Sequence, residues 1–241
     1  MRMRRHIGAD EFVTITDVTA GRAQINVHGP KSRELLSRVS GTDLSKDAFP
    51  YMTAQEIDVG YASVLAMRVT FIGELGWELH VPATQAVQTY DLLMEAGADL
   101  GLRNAGMQTL NSLRLEKAYR DFGIDLDNTD NPIEAGRGFA VELDKPGGFI
   151  GRDALAAIKV RGVPSTRMLQ FLLCDPEPLM CGNELTYLGE EQVGYLQVGG
   201  YGHTLGGAVG IGFVVLDHPV TAHLVAAGPW FIDIAGDRIP A

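Results

Sequence analysis

The chain has little cysteine, a deficit of positive charge and no long apolar run, and each shortage removes a class of protein. Two cysteines, Cys174 and Cys181, are too few for a disulfide scaffold. They read as free thiols in a reducing compartment, with one bridge across Pro176 and Pro178 as the other reading. Lys and Arg number 20 against 30 Asp and Glu, a formal charge of -10, which argues against non-specific binding to nucleic acid or to an anionic membrane. No apolar run approaches the ~20 residues of a membrane span, and the opening Met-Arg-Met-Arg-Arg-His is followed by no apolar signal core. A cytoplasmic protein is therefore expected. The histidines show no metal-ligand spacing, so no metal is expected. Gly199-Gly200-Tyr201-Gly202 and Gly206-Gly207 match neither dinucleotide nor phosphate-loop spacing and read as hairpin turns.

What is present supports packed cores: 241 residues, 46% of them hydrophobic. The most informative stretch is Arg68 to Pro82. Leu65, Met67 and Val69 alternate with Ala66 and Arg68, the period of a half-buried strand. Gly73 and Gly76 around Glu74-Leu75 suggest a tight reversal. A second strand should then place Trp77, Leu79 and Val81 on the core face, with Glu78 and His80 on the other. By pattern alone Glu78 is a solvated carboxylate on the wet side of an antiparallel sheet.

Upstream, Phe12 to Val18 and Arg22 to Val27 read as an antiparallel pair turning at Ala20-Gly21, and Gly29-Pro30 as the opening of a helix with Leu35, Leu36 and Val39 on its apolar stripe. A further helix is expected from an N-cap at Thr84, with Val87, Tyr90 and Met94 packed on the sheet. Strand, helix, strand, strand, helix is a split βαβ order and predicts an α+β domain with an antiparallel sheet and packed helices. Around Leu110 to Ala118 a helix places Arg114 among Met107, Leu110, Leu115 and Ala118. A semi-buried arginine there reads as forked to an acidic side chain or to carbonyls, direct ligand contact being the alternative. A strand is expected at Phe139 to Leu143 and a short helix ending at Val160. Arg161 to Ser165 reads as a linker, which sets the domains at 1–163 and 164–241. Short alternating runs follow at Met168 to Leu173, Glu184 to Leu188, Gln192 to Val198, Val209 to Leu216, Thr221 to Ala226 and Trp230 to Ile234, suggesting a small β-barrel or jelly roll.

Gly73-Glu74-Leu75-Gly76-Trp77-Glu78-Leu79 resembles the Gly-Glu-x-Gly-x-Glu-(Leu/Ile) signature of the glycine cleavage T-protein family of aminomethyltransferases. His28-Gly29-Pro30-Lys31-Ser32-Arg33 and Gly41-Thr42-Asp43-Leu44-Ser45 resemble its neighbouring turns. Ser112-Leu113-Arg114-Leu115-Glu116-Lys117-Ala118-Tyr119-Arg120, with Arg103-Asn104-Ala105-Gly106 before it and Asn131-Pro132-Ile133-Glu134-Ala135-Gly136 after it, is similar to the folate domain of dimethylglycine and sarcosine dehydrogenases. Gly148-Phe149-Ile150-Gly151-Arg152-Asp153 also matches, with Phe149 where related iron–sulfur maturation proteins carry cysteine. The resemblance implies a tetrahydrofolate site in which Glu78 binds the pterin: an acceptor-only carboxylate can take adjacent N–H donors in a fork. Phe71 stands where relatives usually have tyrosine, and either stacks on the pterin or serves as a core aromatic. Leu110 stands where the simple T-protein has a folate-contacting arginine.

The resemblance also implies an upstream stretch holding the family aspartate near the reactive folate nitrogen, so the chain reads as N-terminally truncated. FAD is expected only on a missing or partner domain. Two functions follow. One is the tetrahydrofolate-binding part of a one-carbon transfer module acting with N-methyl amine oxidation, inactive by itself and partnered by a flavoprotein amine oxidase chain or upstream half. The other is a non-catalytic folate-binding or docking subunit, or a truncated product, that needs a partner chain. Turnover without the upstream aspartate would direct attention to Asp58 or Asp125.

Overall fold

A computed structural model describes residues 3–241 as two compact units, one ending at Asn104 and the other spanning Ala105–Ala241. The first unit runs β1 (Arg22–His28), α1 (Ser32–Val39), β2 (Ala54–Val59), β3 (Ala62–Met67), β4 (Gly76–Pro82) and α2 (Ala86–Ala96). Its sheet is antiparallel throughout, in the order β1-β4-β3-β2. β4 is thus inserted between β1 and β3, which run the same way, the split arrangement that the element order suggests. One face carries Val27, Ile57, Val64, Ala66, Trp77, Leu79 and Val81 into a core closed by Leu35 and Leu36 of α1 and Leu93 of α2. Each valine, leucine or isoleucine among them contributes roughly 1.5–3 kcal/mol when fully buried.

Several local expectations change. Phe12 to Val18 forms no strand; Phe12 is fully exposed and β1 is an edge strand. In β3 the core face belongs to Ala62, Val64 and Ala66, while Leu65 points outward, opposite to the expected alternation. The cause is register: β2 and β3 form a hairpin about Gly60, whose φ of 58° admits the turn, and that turn decides which face goes inward. Pro30 lies outside α1, in the turn before it. Ala83–Gln85 form a 3-10 turn, so Thr84 caps nothing, and α2 packs through Thr89 and Leu93 while Val87 is exposed.

The second unit contains α3 (Met107–Glu116), α4 (Arg152–Val160), β5 (Thr166–Leu172), β6 (Leu185–Leu188), β7 (Glu191–Gly202), β8 (Gly207–Val215), α5 (Ala222–Ala227), β9 (Trp230–Ile234) and β10 (Asp237–Pro240). The order β10-β9-β6-β7-β8-β5 is that of a six-stranded antiparallel sheet. Leu115 of α3 packs with Met168, Val198, Val209 and Ile211. A second core gathers Phe171, Leu196, Val214, Trp230 and Ile232.

The expected barrel is not closed. β10 and the segment after β5 meet through one backbone bond, Cys174 N–H to the Pro240 carbonyl at 2.9 Å. β10 has four residues and ends in a proline that offers no N–H to a ladder. Thr221 to Ala226 is helical rather than extended, because the Thr221 hydroxyl accepts the Leu224 N–H as an N-cap. Phe139 to Leu143 forms no strand; Gly138–Ala140 make a 3-10 turn. Gly199 to Gly202 lie inside β7, and the reversal falls at the residues after them. The division between compact units falls before α3, which packs on the second sheet. A domain boundary at 163/164 is left as a proposal, testable by proteolysis.

Candidate functional site

The site builds outward from the carbonyl of Leu75, just before β4. It accepts the Gly29 N–H at 2.7 Å and the Ser32 hydroxyl at 3.0 Å. Gly29 has φ 125°, a conformation that side chains other than glycine rarely adopt. The Gly-Pro-Lys-Ser turn is therefore the device that sets where β4 starts. Gly76 follows, where a Cβ would lie 2.2 Å from Cδ2 of His28 and 2.9 Å from the Val27 carbonyl, so β1 and β4 approach only because this residue is bare.

Trp77 is fully buried beneath this strand, edge-on to Phe49 at 6.1 Å. The guanidinium carbons of Arg68 and Arg33 lie 5.6 and 5.9 Å from its ring centre. Arg68 also donates to the Phe49 carbonyl, and Arg33 to the Leu44 carbonyl at 2.9 Å. Burial first, and the neighbouring Arg33 second, hold Arg68 below the usual arginine value. Together these contacts fasten β4 and the loop between α1 and β2 to one aromatic ring.

With Trp77 inward, Glu78 projects to the face that the helices leave uncovered. It is half-buried, with Asn26 of β1 and Met67 of β3 opposite it on either side. Its carboxylate accepts no hydrogen bond from a described residue. His80 lies next along the same face, between Gln24 and Leu65. Its Nε2 and that of His28 are buried without a partner, and burial pushes the His28 imidazole below the ordinary histidine value. Two hollows in this unit, of about 280 Å³ beside Tyr61 and α2 and about 270 Å³ beside His28 and Gly29, are lined by neither Glu78 nor Phe71. Chemistry rather than size selects the open face, where a half-buried acceptor is unpaired among the described residues.

Phe71 is half-buried in the connection between β3 and β4, off the strands. Arg114 is forked to an acidic side chain: it and Asp125 are buried and paired, with a second contact at 3.2 Å. Asp125 is thus committed to a structural ion pair, and Asp58 stands exposed on the edge strand β2. Asn26 and Met67, which flank Glu78, escape a reading of the sequence because only strand register brings them there. Cys174 and Cys181 are free and exposed. Among the described residues, no group of His, Cys, Asp and Glu is arranged to hold a metal ion, and no helix is long and apolar enough to cross a membrane.

Comparison with known proteins gives a consistent family. Residues 1–145 match the GCVT N-terminal domain, and 167–241 match the glycine cleavage T-protein C-terminal barrel domain. The chain is 44% identical over 207 residues to 4-methylaminobutanoate oxidase (formaldehyde-forming) of Paenarthrobacter nicotinovorans, covering 86% of the chain and 25% of that protein. It is 35% identical over 224 residues to human mitochondrial sarcosine dehydrogenase, covering 92% of the chain and 24% of that protein. The crystal structure of glycine cleavage system aminomethyltransferase T from Bartonella henselae superposes with a TM-score of 0.74 at 22% identity, over 91% of this chain and 57% of that one. The chain thus spans about a quarter of the length of the two oxidising relatives.

Proposed function

We propose a function from the premise that this chain belongs to the glycine cleavage T-protein family: it is the tetrahydrofolate-binding part of a one-carbon transfer module that works with N-methyl amine oxidation. The observation that carries the proposal is Glu78, a half-buried carboxylate without a donor among the described residues, set on an open sheet face within the Gly-Glu-Leu-Gly-Trp-Glu-Leu run. The residues fit the group. A pterin edge offers neighbouring N–H donors, and a carboxylate meets them with two acceptors and no competing donor. Tetrahydrofolate, when bound, supplies a nucleophilic nitrogen that takes up the one-carbon unit.

Glu78 holds the pterin edge and orients the ring. Trp77, clamped by Phe49, Arg33 and Arg68, fixes the height of Glu78 on the strand. Met67 and Leu65 offer apolar surface beside it, and Phe71 supplies a face for stacking. The oxidising relatives are about four times as long as the region matched, so amine oxidation is assigned to a flavoprotein portion or partner and not to these residues. The isolated chain is expected to bind folate without turning over, since Asp125 is held by Arg114 and Asp58 stands on an exposed edge.

The test is calorimetry with tetrahydrofolate on the wild-type chain and on Glu78→Gln. The substitution keeps the shape but sets an N–H against an N–H, and should weaken binding by about 2–4 kcal/mol. Equal affinities would remove Glu78 from the site and the folate reading with it.

A further inference from the structure

We propose that Arg120 and Arg137 form an oxyanion-binding site for a small-molecule carboxylate, built from residues of the second unit. Both guanidiniums converge on the carbonyl of Ala118, Arg120 through Nη1 and Arg137 through Nη2 at 3.3 Å. Those are the two side-chain hydrogen bonds that the pair makes, and neither arginine is ion-paired among the described residues. Arg38, Arg114, Arg152 and Arg238 each face a carboxylate. Asp125 acts on Arg120 only through its charge, being itself paired to Arg114, so neither guanidinium of the pair has a carboxylate in direct contact among the described residues.

The arrangement is held by the backbone rather than by chance side-chain positions. Ala118 sits just past the end of α3 with φ 51°, which turns its carbonyl toward the pair. Arg137 closes a turn in which Asn131 Oδ1 accepts the N–H groups of Ile133 and Glu134 and the Pro132 carbonyl accepts the Arg137 N–H at 2.6 Å. Gly136, with φ 69°, lets the Arg120 guanidinium lie across it, since a Cβ there would sit 3.3 Å from Nη2.

A purely structural role accounts for part of this. A cation at the C-terminal end of α3 is favourable, and one arginine on one carbonyl would serve. A second arginine on the same carbonyl adds repulsion, although Arg137 also lies over the Phe139 ring, its guanidinium carbon 5.8 Å from the ring centre. Arg120 Nε is buried with no partner. Burial, and then the charge of Arg137, push Arg120 down to about 10, with the charge of Asp125 opposing them only in part. An anion between the two guanidiniums relieves the repulsion and offers Arg120 Nε the acceptor it lacks. Planar forks match a planar carboxylate, which accepts two parallel N–H bonds from each.

The test follows arginine Nε–Hε resonances of the 15N-labelled full chain, with Arg120→Lys and Arg137→Lys used to assign the two signals. Acetate should shift both signals saturably, sodium chloride at equal ionic strength should not, and inorganic phosphate should act more weakly than acetate. Arg137→Gln, which leaves Arg120 in place, should weaken the acetate effect about tenfold or more through loss of one charge-assisted fork. Equal shifts with chloride, or an unchanged acetate response in Arg137→Gln, would overturn the site. Stronger binding of phosphate than of acetate would overturn the assignment to carboxylates.

Discussion

Replacing Asp125 by Asn should destabilise the second unit out of proportion to the size of the change. The side chains of Arg114 and Asp125 are 1% and 0% exposed. Arg114 also donates from Nε to Asn111 Oδ1 at 2.9 Å and from Nη1 to the Tyr119 carbonyl at 3.0 Å, while Asp125 accepts the Asp121 N–H at 2.8 Å. The carboxylate therefore receives three N–H groups on two oxygens. An amide has one oxygen, so its NH2 faces the guanidinium in either orientation, and in one of them the Asp121 N–H as well, and the buried cation loses its counter-charge. Breaking a buried pair from one side costs about 3–5 kcal/mol. Removing both charges with Arg114→Met and Asp125→Leu takes partners from the Tyr119 carbonyl, the Asp121 N–H and Asn111 Oδ1 but leaves no uncompensated buried charge, so it should cost less than the sum of the two single substitutions. The two tryptophans fall one to each unit, so urea unfolding in a Trp77→Phe background, read by Trp230 fluorescence, reports the second unit alone. A loss below about 1 kcal/mol for Asp125→Asn, or a double variant as unstable as the sum of its singles, would refute the reasoning.

Other expectations follow from single contacts. Gly76→Ala forces β1 away from β4 and should cost the first unit about 1–3 kcal/mol, measured by urea unfolding through Trp77; an unchanged midpoint would show that the strands can part freely. His28 has a folded pKa below 6.5, so the unfolded chain binds the proton more readily. Stability of the first unit should accordingly fall as pH drops below about 6.5 and level off above it. His28→Gln should flatten that slope, and a slope that persists would assign it elsewhere. Limited proteolysis should cut within 161–165 if the domains are 1–163 and 164–241, whereas a first cut near Asn104 would favour the division by packing.

The strand bearing Glu78 was legible because Trp77, Leu79 and Val81 alternate with polar residues, which leaves one choice of inward face. β3 was not, because Ala62, Val64 and Ala66 alternate with Ser63, Leu65 and Met67, and both sets are apolar enough to be buried. Only the hairpin at Gly60 chooses between them. Phe12 to Val18 has a strand's pattern, but a strand also needs a ladder partner, which pattern cannot supply. At α5 the signal was present and misread: a threonine before an alanine-rich run is a helix start, and its hydroxyl outweighed the β-branched character of its neighbours. The Arg120–Arg137 pair depends on one left-handed residue, Ala118, and no periodicity announces that.

The seam between Cys174 and Pro240 gives the second sheet the character of a split ring held by a single latch. Releasing that bond leaves every ladder of the sheet intact, so the latch opens at the cost of local motion alone, while β7, paired on both sides by β6 and β8, is exposed only when the sheet itself comes apart. The Cys174 amide should thus exchange with solvent on its own clock. The free thiol on the same residue makes that motion observable from outside, since a label there sits on the moving lip of the ring.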